Sequence, residues 1–306
     1  MYRVSAYSNA GLHKETNQDS CLYEVATTPC GEIALLVMCD GVGGLSAGEL
    51  ASASIIHWFS DWFEHILPRN LSGGLLPPDE LYSIVQEQWS RGMQRLNSSL
   101  RGYGRTLGSE LGSTCTALLL YGGRYLICHI GDCRVYRFTE SSMEQLTDDQ
   151  TWVAREVARG NISPAQARNH PQKNVILQSV GSQGDLSPVF TRGDIYLGDV
   201  YLVCCDGFRN ELFDDELFGA FGTLPAAASD QELQDACEHL ARLVMNRGEY
   251  DNVSAVACMV QSEGDYGSPI LNVPDSSALV VETIEEEPED NTADLFEGAG
   301  EAGSYA

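Results

Sequence analysis

Apolar residues along the first 262 positions follow two alternating patterns. Dense runs of Val, Ile, Leu, Cys and Tyr predict strands at about 2–8, 20–26, 32–39, 114–121, 124–130, 133–138, 199–205 and 253–260. Several of these runs follow one another without room for a helical crossover, and YGGRY (121–125) joins two as a hairpin, so antiparallel pairing is expected. Helical spacing predicts helices at about 46–66, 78–101 and 230–247. The first of these puts Ile55, Trp58, Phe59, Trp62 and Ile66 on one stripe facing a sheet. Ser or Thr three residues before Glu or Gln predicts capping boxes at 46–49, 147–150, 163–166 and 229–232, which gives Glu49 a structural duty. Strand clusters with helices outside them define an α+β layered domain over residues 1–262.

Beyond that point the pattern stops. Residues 263–306 hold twelve of the chain's 44 acidic residues and no Lys or Arg, with IEEEPEDN at the centre. One-signed charge and low hydropathy predict a disordered, solvating tail. No internal repeat is present.

Composition narrows the function. An apolar fraction of 43% supports a sizeable core, and a formal charge of −26 argues against nucleic acid as a partner. No apolar stretch is long enough to span a bilayer, and the start, MYRVSAYSNAG, lacks the basic and apolar regions of a signal peptide. A cytoplasmic monomer is expected. The chain has ten cysteines but no C-x-x-C pair, and Cys39, Cys115, Cys128, Cys204, Cys205 and Cys258 lie inside strand-like runs. Buried, reduced thiols account for them.

The chemistry gathers at strand ends. In LVMCDGVGGLSAGE (36–49) an apolar run ends at Asp40, followed by Gly41, Gly43 and Gly44. YLVCCDGFRN repeats this with Asp206 and Gly207, EYDNVSAVACMV sets Asp251 before a strand, and LICHIGDCRVYRF sets Asp132 between two strands. Taken singly, an Asp-Gly pair is usually a turn. Four carboxylates at the tips of buried strands would instead repel one another, and hard divalent cations such as Mg²⁺ or Mn²⁺ remove that conflict. Gly41 can turn its carbonyl toward such an ion. Gly43 and Gly44 leave room for an anion, and a helix capped by Ser46 would aim its N-terminus at it.

With these residues in this order, the chain resembles the metal-dependent Ser/Thr protein phosphatases of type 2C, the PPM family, in their bacterial form. The resemblance runs through KETNQDS (14–20), CDGVGG (39–44), GSTCTALLL (112–120), HIGDCRVYRF (129–138), LTDDQT (146–151), HPQKNVILQSVG (170–181), CDGF (205–208) and DNVSAV (251–256). It implies an α-β-β-α sandwich of two antiparallel sheets flanked by helices, and two Mn²⁺ or Mg²⁺ ions that activate water for direct attack on phosphoserine or phosphothreonine proteins. By the same resemblance Asp40 bridges the ions, the Gly41 carbonyl serves one, and Asp206 and Asp251 hold the other. Asp19 acts nearby through water, and Asp132 matches a residue tied to a looser third ion. Residues 147–190 correspond to a variable flap beside the site. A partner Ser/Thr kinase would supply the substrates.

Three departures stand out. Lys14 replaces an Arg that grips the phosphate, keeping the charge but losing the bidentate fork. Val42 stands where animal members carry a His, and Asn210 where many members have an Asp, which puts the third ion in doubt. His129 is expected to be a satisfied core histidine, His57 and His65 to be helix-surface residues, and His170 to sit in a turn. His13 adjoins the phosphate-facing segment. A phosphatase-like module that binds phosphoproteins without turnover is the alternative. Retention of Asp40, Asp206 and Asp251 speaks against it.

Overall fold

The structure, a computed structural model, describes residues 1–28, 31–42, 48–72 and 76–261. Gly43, Gly44, the expected Ser46 cap and the acidic tail therefore lie outside the described residues. The chain divides after Gly264 into two compact units, and the described residues all belong to the first.

From the N-terminus come β1 (Tyr2–Asn9), β2 (Ser20–Thr28), β3 (Gly31–Cys39) and the short β4 (Gly41–Val42). Helix α1 (Gly48–Asp61) passes through a π-helical turn, Trp62–Ile66, into α2 (Leu67–Leu71), and α3 (Pro78–Leu107) follows. Next are β5 (Gly112–Ser113), β6 (Cys115–Tyr121), β7 (Arg124–Ile130), β8 (Arg134–Phe138) and β9 (Met143–Gln145). Helices α4 (Trp152–Ala158) and α5 (Pro164–Arg168) precede β10 (Val189–Asp194) and β11 (Val200–Cys204). The order ends with α6 (Asp206–Arg209), α7 (Asp214–Phe221), α8 (Asp230–Asn246) and β12 (Val253–Val260).

Two five-stranded sheets result, ordered β1-β12-β11-β8-β9 and β10-β7-β6-β3-β2. Every pairing is antiparallel, as the short connections require. The sheets share one buried cluster, with Leu36, Met38, Leu118 and Ile127 from one and Tyr201, Val203 and Val256 from the other. Helix α8 covers β1 and β12, while α1 and α3 cover the other sheet. This is the expected α-β-β-α sandwich.

On that helical layer Phe59 and Trp62 each meet Trp89 of α3 edge-on, with ring centroids 5.2 Å apart. The expected stripe breaks at Ile66, which is 37% exposed, while Phe63 and Leu67 are buried. The π turn is the cause, because its extra residue advances every later side chain around the axis. Capping boxes form at Ser163–Gln166 and Ser229–Glu232 as expected. The one expected at 147–150 does not. Thr151 caps α4 by accepting from the Ala154 amide, and Thr147 Oγ1 accepts from the Val135 amide instead. Strand β10 is an addition. Its polar sequence, VFTRGD, hides it as an edge strand paired only to β7, and it closes the 147–190 segment, which carries α4 and α5. Nine of the cysteines are described, all free, and all buried except the half-buried Cys21. Among the described residues no helix is long and apolar enough to cross a membrane.

Candidate active site

Register brings the strand-end aspartates to one edge of the sandwich. In the first sheet Cys204 pairs with both Arg134 and Ala255, so Asp132, Asp206 and Asp251 emerge together. In the second sheet Cys39 pairs with Ser20, which places Asp40 beside Asp19. Five carboxylates from separate chain segments thus share one floor.

Local bonds fix each segment. The Asp40 amide donates to Thr114 Oγ1 at 2.8 Å, and its carbonyl accepts from the Thr114 amide at 2.8 Å and Ser113 Oγ at 3.0 Å. Gly41 has an ordinary φ, so its lack of a side chain serves packing. A Cβ there would come within 2.5 Å of the Gly48 backbone. A Cβ on Gly207 would come within 2.1 Å of the Asn252 carbonyl, holding the start of α6 against the start of β12. Gly131 takes φ +106°, the left-handed region, in the turn just before Asp132, and a Cβ there would come within 2.5 Å of the Thr114 side chain.

The electrostatics show how tightly the carboxylates are gathered. Burial pushes Asp40 well above the ordinary carboxylate range, and the charges of Asp19, Asp206, Asp132 and Asp251 push it further. Asp19 is pushed up to about 7, first by burial, with Asp206 and Asp251 adding to it. Asp132 also reaches about 7 through burial and Asp206, against the opposing Arg209 and Arg134. Asp206 is raised by burial, with Arg209 the largest opposing influence. Among the described residues, both Asp19 carboxylate oxygens and Asp132 Oδ1 are buried without a hydrogen-bond partner.

Such orphaned, mutually repelling carboxylates are the donor set that a hard divalent cation satisfies. They fit Mn²⁺ or Mg²⁺ by chemistry, although among the described residues no three Asp, Glu, His or Cys groups already form a closed ligand cluster. Lys14 Nζ instead lies 2.9 Å from Asp251 Oδ1. Burial lowers the Lys14 pKa, but its bond to Asp251 and the Asp40 and Asp206 charges outweigh that and raise it. The ammonium therefore stands on the carboxylate floor, in reach of anything bound there.

Other histidines are placed as expected. His129 is buried between Thr116 Oγ1 at 2.9 Å and the Asp148 carbonyl at 3.0 Å, and burial holds its pKa down. His57 and His65 are exposed, and His170 stacks on Trp152 at 4.8 Å. His13, next to Lys14, stacks on Tyr250, next to Asp251, at 4.1 Å on the rim.

Asn252 is the site residue that pattern reasoning misses. Its Nδ2 donates to the Ala10 and Thr16 carbonyls at 3.0 and 3.1 Å, and its Oδ1 accepts from the Gln18 amide at 2.9 Å. One buried side chain therefore folds the loop that carries Lys14 and Asp19 against the segment that carries Asp251. Its place beside Asp251 in DNVSAV was the only available signal. Asp149 and Arg209, described below, were equally silent.

Comparison with known proteins agrees with this geometry. Residues 12–245 match the family model described as protein phosphatase 2C, and the chain belongs to that family. It is 31% identical over 271 residues to the serine/threonine protein phosphatase PstP of Mycobacterium tuberculosis, covering 88% of this chain and 47% of that protein. The chain thus spans about half the length of that relative. Among solved structures, a Streptococcus agalactiae serine/threonine phosphatase superposes with a TM-score of 0.72 at 25% identity, covering 85% of this chain and 100% of that one. The catalytic domain of PstP in complex with two manganese ions superposes with a TM-score of 0.67 at 27% identity, covering 85% and 99%.

Proposed function

We propose that this chain is a protein-serine/threonine phosphatase that uses two Mn²⁺ or Mg²⁺ ions to hydrolyse phosphoserine and phosphothreonine proteins made by a partner kinase. The observation that carries this is the convergence of Asp19, Asp40, Asp132, Asp206 and Asp251, with buried oxygens left unpartnered. Family membership and the two manganese ions named for the PstP domain support it.

Asp40, Asp206, Asp251 and the Gly41 carbonyl would hold the ions, with Asp19 acting through water. When bound, paired divalent ions lower the pKa of water and offset charge on phosphoryl oxygens. The chain's own contribution is placement. The Thr114 and Ser113 bonds fix the Asp40 backbone, Asn252 sets the Lys14 loop, and Lys14 offers a point charge to the incoming phosphate.

The test is hydrolysis of an aryl phosphate and a phosphothreonine peptide with Mn²⁺, Mg²⁺ or excess chelator. Metal-dependent turnover of both is expected. Tight peptide binding without turnover under every condition would overturn the proposal in favour of a phosphoprotein-binding module.

A further inference from the structure

Arg209 ends the one-turn helix α6, three residues past Asp206, and turns back beneath the carboxylate floor. Its Nη2 donates to the Asp132 carbonyl at 3.1 Å and reaches Asp149 Oδ2 at 3.4 Å, while Nη1 donates to Asn210 Oδ1 at 3.4 Å. The side chain is only 10% exposed. Among the described residues its Nε is buried without a partner, and so is Asp132 Oδ1.

A guanidinium this deep needs negative charge around it. Asp149 alone does not account for it, because Arg134 already holds both Asp149 oxygens at 2.7 Å. One carboxylate thus faces two cations, and the surplus positive charge stands beside Asp132 and Asp206. Both of these feel it as an influence opposing their repulsion. The next residue, Asn210, offers a neutral amide oxygen in place of a charged carboxylate, and that oxygen already accepts from Arg209 Nη1.

We propose that Arg209 is a built-in counter-cation for Asp132 and Asp206, that it takes the place of a third ion, and that the chain therefore carries two. This rests on the metal-dependent function above. A divalent cation at Asp132 would have to share the carboxylate with a fixed positive charge. Arg209 is a positioning residue on this account. It also ties Asp149, at the root of the 147–190 segment, to the backbone of Asp132.

The test is to count Mn²⁺ per full-length chain by native mass spectrometry and titration calorimetry. Two ions are expected for the unaltered protein and for Asp132→Asn. Arg209→Gln should gain one weaker ion, the pair Arg209→Gln/Asp132→Asn should lose it again, and Arg209→Lys should behave as the unaltered protein. Three ions on the unaltered chain, loss of an ion in Asp132→Asn, or two ions on a folded Arg209→Gln would overturn the inference. If Arg209→Gln does not fold by circular dichroism, the same count on Arg209→Met decides it, with a third, weaker ion expected and two ions overturning the inference. No bound Mn²⁺ at all would overturn the proposed function, and this inference with it.

Discussion

Replacing Asn252 with Ala should loosen one loop and leave the sandwich standing. Three hydrogen bonds are lost, to the Ala10 and Thr16 carbonyls and the Gln18 amide, at 3.0, 3.1 and 2.9 Å. At about 1 kcal/mol net for each, the loss is about 3 kcal/mol. All three partners lie in the segment 10–18, so the loss falls on local opening of that loop. A change of about 3 kcal/mol raises the open population roughly 100-fold. Hydrogen exchange read by mass spectrometry should show that acceleration in peptides covering 10–19, with β11 and β12 protected as before. KM for a phosphopeptide should rise because Lys14 rides on the loop. Asn252→Asp is the sharper variant, since it keeps an acceptor for Gln18 but turns a carboxylate toward two carbonyls. Unchanged exchange in 10–19 would refute the pinning role. Equal acceleration across β11 and β12 would mean that Asn252 holds the whole fold rather than the loop.

Asp40→Asn and Asp206→Asn should each abolish turnover while the chelator-treated protein melts no lower than the unaltered one, because a repelling charge leaves the floor; near-normal activity in Mn²⁺ would sink the ligand assignment. Lys14→Ala should raise KM and Lys14→Arg should keep or lower it, read from initial rates, and identical KM values in all three proteins would remove Lys14 from substrate binding. Asp149 is held below the ordinary carboxylate range because Arg134 and Arg209 outweigh the upward push of burial. Its stabilisation is therefore present above the unfolded pKa of about 4 and lost as pH falls below it. Asp149→Asn should cost about 3–5 kcal/mol at pH 7 by urea unfolding and flatten the acid limb of stability, whereas a parallel limb in both proteins would exclude the pair as its source.

The layers were legible because fully buried strands write themselves as dense apolar runs. Strands β3, β6, β7, β11 and β12 have hardly an exposed position among them. The elements that were not legible fail for specific physical reasons. β10 sits on an edge with mixed exposure, so its residues carry no apolar signature. The π turn adds a residue for backbone reasons that leave no trace in side-chain type, and the helical stripe went out of phase at Ile66. Thr147 stands three residues before Gln150, as a capping box asks, and Thr151 three before the apolar Ala154, so only the bonding of β8 decides that Thr147 is taken by Val135 and Thr151 caps the helix.

At the site the same division holds. The aspartates could be read in advance because each ends or begins an apolar run, and antiparallel register then forces Cys204, Arg134, Ala255, Cys39 and Ser20 to share an edge. Gly41 was legible as a special position, but the structure gives it a duty the sequence could not reveal, the close approach of the Gly48 backbone. Asn252, Asp149 and Arg209 act through bonds between segments far apart in the chain, and no spacing rule encodes such bonds. Arg209 has a further consequence for the floor it underlies. Asp132 and Asp206 have Arg209 opposing their repulsion, while Asp40, Asp206 and Asp251 act on the Lys14 ammonium, which sits on the loop of residues 10–18 rather than under the floor. The demand for an external cation is therefore uneven across the floor, and it is eased at Asp132, whose own carbonyl already accepts from the Arg209 guanidinium.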